Sequence, residues 1–272
     1  MTTHVDLAAK AAAFAALHTP TAPLALANAW DVAGALVVEA AGAPAVATTS
    51  AGVAWSLGSP DGDALARDRA LDLVARVVAA VSVPVTADIE GGFGADPAGV
   101  GETVTGVLAA GAVGINIEDG HRDPAEQVER LAAARAAADA AGVPLYINAR
   151  VDTYLRGFGE SATRLDDTLA RAAAYLRAGA TGIFVPGVLE PDTVAELAKG
   201  IDAPLNLLVG PGAPAVAALG ALGVSRVSLG SWVAEAAYAV VRRAAEELIS
   251  DGTYGSLAHS LPYGELNSLL KG

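Results

Sequence analysis

What most constrains this chain is a count: eight short apolar runs alternate with longer stretches whose apolar residues recur at helical spacing. The runs fall at residues 24–28, 45–49, 83–90, 114–118, 145–150, 182–185, 205–209 and 226–229, with helical stretches such as 64–81, 98–110, 126–141 and 163–178 between them. The same punctuation introduces several runs. Ala41-Gly42-Ala43, Ala110-Gly111-Ala112, Ala141-Gly142-Val143, Ala178-Gly179-Ala180 and Leu222-Gly223-Val224 each put glycine where a helix can end in a left-handed residue. Eight such units with short connections predict an α/β fold, a closed parallel (β/α)8 TIM barrel ringed by helices. A doubly wound open sheet is the alternative, but it usually needs fewer strands. The 272 residues suffice for one barrel, and 53% hydrophobic residues with only 5% aromatic suit a buried sheet filled by branched aliphatics. A single barrel domain over 1–272 is expected. Residues 1–20 carry an N-terminal helix (5–17) that could cap the barrel floor, 24–249 the barrel with a long last helix at 232–249, and 250–272 a polar, Gly-broken tail.

The net charge of −13 excludes some partners. An acidic surface repels phosphate backbones and anionic lipid heads, so neither nucleic acid nor membrane is an expected partner. The substrate is not read from this charge, because local cations or a metal can reverse the field inside a pocket. With no cysteine there are no disulfides, thiolate metal sites or cysteine nucleophiles. The polar start and the interrupted apolar runs lack the pattern of a signal peptide or a membrane span, and predict a soluble cytoplasmic protein.

In a barrel, side chains at the C-terminal ends of strands point into the active site. The third run ends in Thr86-Ala87-Asp88-Ile89-Glu90-Gly91-Gly92-Phe93-Gly94, and a strand would send Asp88 and Glu90 from the same face. Glu118 ends the fourth run, and Asp61 sits in the loop after the second. Carboxylates this close repel unless a cation or proton lies between them, and oxygen-only ligands suit Mg2+, with Mn2+ possible. Asp61 alone could equally cap a helix or sit in a solvated turn. Arg150 ends the fifth run, sharing a face with Asn148, and a guanidinium there needs an anion. A substrate carboxylate gripped by two parallel bonds would serve; so would a structural ion pair with Glu118 or Asp152. Thr49, Ser50 and Ala51 before Gly52 offer backbone N–H groups to an anion. Val209-Gly210-Pro211-Gly212 and Gly230-Ser231, where many barrels bind phosphate, lack a basic neighbour and read as turns.

The order Asn28-Ala29-Trp30-Asp31, Thr49-Ser50, Gly58-Ser59-Pro60-Asp61, Asp88 through Gly94, Ile117-Glu118-Asp119 and Asn148-Ala149-Arg150-Val151-Asp152 resembles the isocitrate lyase/phosphoenolpyruvate mutase superfamily over roughly residues 24–248. The resemblance implies a Mg2+-dependent barrel that makes or breaks C–C or C–P bonds beside a 2-oxo acid, its enolate held on the metal. It implies Asp88 as direct metal ligand, with Asp61, Glu90 and Glu118 acting mainly through metal-bound water. Trp30, Thr49, Ser50, Ala51, Asn148 and Arg150 would bind substrate, and Arg150 and Glu118 would serve catalysis. Glu90 stands where the family usually has Asp. The superfamily's lyases carry a catalytic cysteine on a mobile loop; here only Gly120-His121-Arg122-Asp123-Pro124 stands in that place, which excludes the cysteine mechanism. His121 is the residual acid/base candidate, or an incidental loop histidine. The expected activity is that of a lyase or decarboxylase acting on a small 2-oxo acid or hydroxy diacid, the partner being that 2-oxo acid or dicarboxylate. The alternatives are phosphonopyruvate hydrolase- or mutase-like C–P chemistry, and simple binding of a 2-oxo acid. A homo-oligomer, tetramer or dimer, in which neighbours exchange the last helix is also implied.

Overall fold

The structure, a computed structural model, describes residues 4–271. Its strands are β1 (Leu24–Leu26), β2 (Asn28–Ala29), β3 (Val46–Thr48), β4 (Val85–Asp88), β5 (Gly114–Glu118), β6 (Tyr146–Arg150), β7 (Gly182–Val185), β8 (Leu205–Leu208) and β9 (Val224–Ser228). All neighbours pair in parallel, in the order β1-β9-β8-β7-β6-β5-β4-β3-β2. The two outermost strands are halves of one expected run. β1 pairs with β9 and β2 with β3, so the first stave closes the barrel while breaking its ladder at Ala27. Asn28 stitches that seam. Its Nδ2 donates to the Thr48 carbonyl (2.9 Å) and its Oδ1 accepts from the Gly230 amide (2.8 Å). The result is the (β/α)8 barrel that the alternation predicted.

Two local departures matter for the site. The run at 83–90 is a strand only as far as Asp88; Glu90 adopts φ +52° and Gly92 φ +103°. Glu90 therefore does not leave the strand face that Asp88 leaves, contrary to the spacing argument, because the backbone has already turned. The run at 45–49 leads directly into α3 (Ser50–Ser56), an extra helix before α4 (Arg67–Ala80); α5 (Pro97–Ala110), α6 (Pro124–Ala140), α7 (Arg164–Arg177) and α8 (Pro191–Gly200) then alternate with the later strands. Thr49 is its N-cap position, so the amides expected in a loose turn belong to a helix start. Nor is the tail after 250 structureless: α11 (Tyr263–Leu269) packs against α2 (Val32–Ala40).

The N-terminal helix α1 (His4–Ala16) plugs the barrel floor. Phe14 is fully buried, its ring 5.5 Å from that of Tyr146, and His18 stacks on Tyr146 at 3.9 Å. Burying a ring such as Phe14 stabilises by about 1.5–3 kcal/mol. Small residues make the room. A Cβ on Gly114 would come within 2.8 Å of the Phe14 ring, and one on Gly182 within 2.2 Å of the Tyr146 hydroxyl.

The last long helix, α10 (Trp232–Ser250), leaves the barrel instead of completing its outer ring. Only Ala234 of it is buried, while Val241, Leu248 and Ile249 are 64%, 59% and 85% exposed. Where an eighth outer helix would lie, between α2 and α9 (Val216–Ala221) and over β1, an apolar groove of about 920 Å³ is open. Leu24, Leu26, Val37, Val38, Val216 and Val227 line it. Among the described residues no helix is long and apolar enough to cross a membrane.

Candidate active site

At the C-terminal ends of the strands a cavity of about 210 Å³ opens into the barrel. Side chains that alternate along each strand meet there: Asn28, Asp88 of β4, Asn116 of β5, Arg150 of β6, Phe184 of β7, Leu208 of β8 and Ser228 of β9. Thr49, Ser50 and Ala51 enter from the start of α3 and Asp61 from the loop after it, and Leu155 and Pro186 close the far side.

Asp88 is fixed from two sides. Its amide donates to Thr48 Oγ1 (2.8 Å), and its Oδ2 accepts from the Ser50 amide (3.0 Å). The Ser50 N–H is thus spent on Asp88 and is not free for an anion, a correction to the expected cradle. Asp61 sits in an exposed bend and lines the same cavity, so the turn and the site coincide. Burial raises its pKa above the ordinary carboxyl value, and the Asp88 charge adds to that rise.

The other two proposed metal ligands are turned elsewhere. Glu90, buried, reaches back under the Asp61 loop, where its Oε2 accepts from the Gly62 (2.9 Å) and Asp63 amides. Burial pushes its pKa up to about 7 against those amide bonds. Asp63 in turn accepts from the Gly91 amide and from Arg122 Nη2 (2.8 Å), locking the two loops together. Arg130, 3% exposed, donates to the carbonyls of Gly91, Gly94 and Ala95 and pins the turn after Glu90. Glu118 accepts an ion pair from Arg150 Nη1 (2.5 Å). Burial raises its pKa to about 8, Arg150 opposing and the neighbouring aspartates adding to the rise.

Arg150 is held as well as free. Nε and Nη2 donate to Asp152 at 2.6 and 3.1 Å, so with Glu118 three of its five N–H donors are committed and two remain. The structural ion pair therefore leaves two donors uncommitted. Its guanidinium also lies 5.9 Å from the Phe184 ring centre. Behind it Asp119, fully buried, accepts from the Asp152 amide, Arg171 and Tyr175.

Besides Glu118, three expected substrate or catalytic residues do not line the cavity. Asn148 lies one layer deeper, donating to Asn116 Oδ1 (2.9 Å). Trp30 packs beneath α3 with Val53 and Ala54, its Cβ beside Gly52. His121 stands outside, its Nε2 accepting from Arg156 Nη1 (3.1 Å) and its ring beside Phe158. The sequence reasoning missed Asn116, Leu155, Phe184, Leu208 and Ser228. Asn116 had a signal: it precedes Glu118 by two, as Asn148 precedes Arg150.

The donors suit a hard cation. Asp61 and Asp88 put only oxygens into the cavity. Among the described residues no three His, Cys, Asp or Glu side chains converge on one point, and Asp61 and Asp88 are the two carboxylates that line the cavity.

A sequence model of the family described as phosphoenolpyruvate phosphomutase matches residues 14–249. The chain is 32% identical over 208 residues to 2-methylisocitrate lyase of Escherichia coli (strain K12), covering 71% of this chain and 67% of that one. A crystal structure of a candidate lyase/mutase from Burkholderia cenocepacia J2315 superposes with a TM-score of 0.89 at 40% identity, covering 98% and 97% of the two chains. A phosphonopyruvate hydrolase complexed with oxalate and Mg2+ superposes with a TM-score of 0.80 at 27% identity, covering 96% and 95%.

Proposed function

The chain belongs to the phosphoenolpyruvate phosphomutase family, within the isocitrate lyase/phosphoenolpyruvate mutase superfamily of enzymes, and from that membership we propose that its cavity cleaves a C–C bond at C3 of a small acid. The C3 electron pair passes into the 2-oxo group as an enolate, and the leaving carbon departs as carbon dioxide or a carbonyl compound. The observation that carries this is the pairing of Asp61 and Asp88 on one wall with the unspent donors of Arg150 on the other. Asp88 and Asp61 would hold Mg2+, or Mn2+ in its place, with Glu90 setting the loop that presents Asp61. When bound, such a cation supplies Lewis-acid stabilisation of the negative charge that develops on the substrate's 2-oxygen. Arg150 takes the substrate carboxylate on its two remaining N–H groups, while Asp152 and Glu118 keep the guanidinium plane fixed. Leu155, Phe184 and Leu208 limit water around the reacting carbon. For proton transfer, Glu118 is the better placed candidate: it touches Arg150, whereas His121 is turned to Arg156.

The test is turnover of a panel of 2-oxo and 2-hydroxy acids and diacids, with Mg2+ and after chelation. We expect a cleaved product that disappears on chelation; an inert panel alongside Mg2+-dependent oxalate binding would make the protein a binder and reject the lyase assignment. The likeness to phosphonopyruvate hydrolase supports a second reading, C–P cleavage, which phosphate release from phosphonopyruvate would reveal.

The assembly belongs to the same proposal. The apolar groove over β1 and the uncovered side of α10 fit a homo-oligomer in which α10 of a neighbouring copy fills the groove. Light scattering should then give a multiple of 27.0 kDa; a monomer at micromolar concentration rejects the exchange.

A further inference from the structure

Beneath the cavity, inside the barrel, lies an arginine that neither the sequence reasoning nor the proposed reaction uses. Arg226 of β9 is fully buried, and among the described residues no carboxylate lies within ion-pair distance of it. Its Nη2 donates to Asn116 Oδ1 (3.2 Å), while Nε and Nη1 have no partner. Asn148 Nδ2 donates to the same Asn116 oxygen (2.9 Å). A guanidinium can only donate, so the assignment of oxygen and nitrogen in the Asn116 amide is not ambiguous. With both lone pairs of Oδ1 taken from below, its NH2 is directed the other way.

Three asparagines come together here, and they differ in what they have left. Asn28 spends both ends of its amide on the closing seam, and Asn148 sits a layer down with its own Oδ1 unpartnered. Asn116 lines the cavity, and its Nδ2 makes no hydrogen bond among the described residues. In register Asn116 stands directly opposite Asp88 across the β4–β5 pair. An NH2 group beside that carboxylate would repel a bare cation and attract an oxyanion next to it. We propose that Asn116 is a substrate-binding residue whose NH2 donates to an oxygen of the bound acid, and that Arg226 is a positioning residue that fixes this amide from inside the barrel. The inference rests on the cavity being the 2-oxo acid site.

The experiment is calorimetric titration of oxalate at saturating Mg2+, with a separate Mg2+ titration and a thermal melt of each variant. Asn116→Asp keeps an oxygen for Arg226 and Asn148 but replaces the donor with an ionisable oxygen opposite Asp88, so Asn116→Ala, which removes the donor without adding charge, is titrated beside it and should also weaken oxalate. Asn116→Asp should melt no lower than the parent and bind Mg2+ at least as well, yet bind oxalate about tenfold or more weakly. Arg226→Met should weaken oxalate several-fold in the parent, by about the size of one hydrogen bond, and add nothing in an Asn116→Ala background. If Arg226→Met does not fold, Asn148→Ala removes the other donor onto the same oxygen and should show the same loss of additivity. Oxalate affinity in Asn116→Asp or Asn116→Ala within about twofold of the parent overturns the substrate contact. An undiminished effect of Arg226→Met, or of Asn148→Ala in its place, in the Asn116→Ala background overturns the positioning role. A parent that fails to bind oxalate with Mg2+ overturns the cavity's assignment and this inference together.

Discussion

The mouth and the floor of this barrel are both polar, but they handle charge in opposite ways. The mouth holds Asp61, Asp88, Glu118 and Asp152 against Arg150, with Arg156 at the rim, an excess of carboxylates that adds to the rise burial causes at Asp61 and Glu118. The floor holds a cation and a base, Arg226 and His18, packed with Tyr146 and lacking any carboxylate partner. Burial dominates both. It pushes Glu118 up to about 8 at the mouth, and it pushes His18 down to about 4 and Arg226 down to about 10 at the floor. The contrast teaches where a ligand belongs. Surplus negative charge facing a cavity is relieved by a cation that arrives from solution; a buried arginine with no carboxylate in ion-pair contact among the described residues relies on nearby dipoles and the more distant charge of Asp88.

The largest effect should come from removing the centre of the acidic end. Asp88→Ala should abolish Mg2+-dependent oxalate binding, whereas Glu90→Gln and Glu118→Gln should weaken it less, since Glu90 acts through the Asp61 loop and Glu118 through Arg150. Calorimetry showing unchanged Mg2+ affinity in Asp88→Ala would break the comparison, because the mouth would then not be built around a cation.

The next effect concerns acid. His18 in the folded chain takes its proton only at about 4, against 6.5 ordinarily, chiefly because it is buried and secondarily because Arg226 is near. Between those values the unfolded chain binds more protons than the folded one, so stability is full above pH 6.5 and falls as pH drops towards 4. A shift of this size corresponds to on the order of 3 kcal/mol. Glu90 and Glu118 carry the opposite sign. Their folded values, about 7 and about 8, lie above 4.5, so the folded chain binds more protons there and gains stability as pH falls through that window. Urea titrations of the parent and His18→Gln from pH 8 to pH 4 isolate the floor: as pH falls below 6.5 the parent should lose stability relative to His18→Gln. A difference independent of pH would mean that His18 is hydrated and the floor is not dry.

Much of this arrangement could be read from the sequence, and the failures have physical causes. The barrel was legible because eight apolar runs and repeated left-handed glycines carry a period, which local composition records. The break at Ala27 was not, since it arises from closing the sheet, a long-range requirement that no stretch of residues 24–29 announces. At the site, Asp61, Asp88, Arg150 and the Thr49–Ala51 segment do reach the cavity. Glu90 does not, because alternation along a strand says nothing about where the strand stops, and φ +52° turns it away. Asn148 and Asn116 show the same limit in depth. Spacing put Asn148 on the inward face, but only the structure separates the layer that meets solvent from the one that carries it.

The smallest effect tests whether the mouth's one cavity-lining cation serves the substrate or the fold. Arg150 gives three N–H donors to Asp152 and Glu118 and keeps two. Lysine in its place keeps the charge but cannot hold Asp152 with two parallel bonds and a carboxylate ligand at the same time. Oxalate affinity at saturating Mg2+ should therefore fall by about 1.5–3 kcal/mol in Arg150→Lys, the worth of a charged hydrogen bond. Folding is affected as well: Asp152 is fully buried, and it would lose one of its two charged partners, leaving Arg156. A measurable drop in melting temperature should accompany the weaker binding. A variant that melts lower but binds oxalate like the parent would make Arg150 a structural ion-pair residue. A variant that melts like the parent but binds weakly would show that Arg156 alone satisfies Asp152, leaving Arg150 to the ligand.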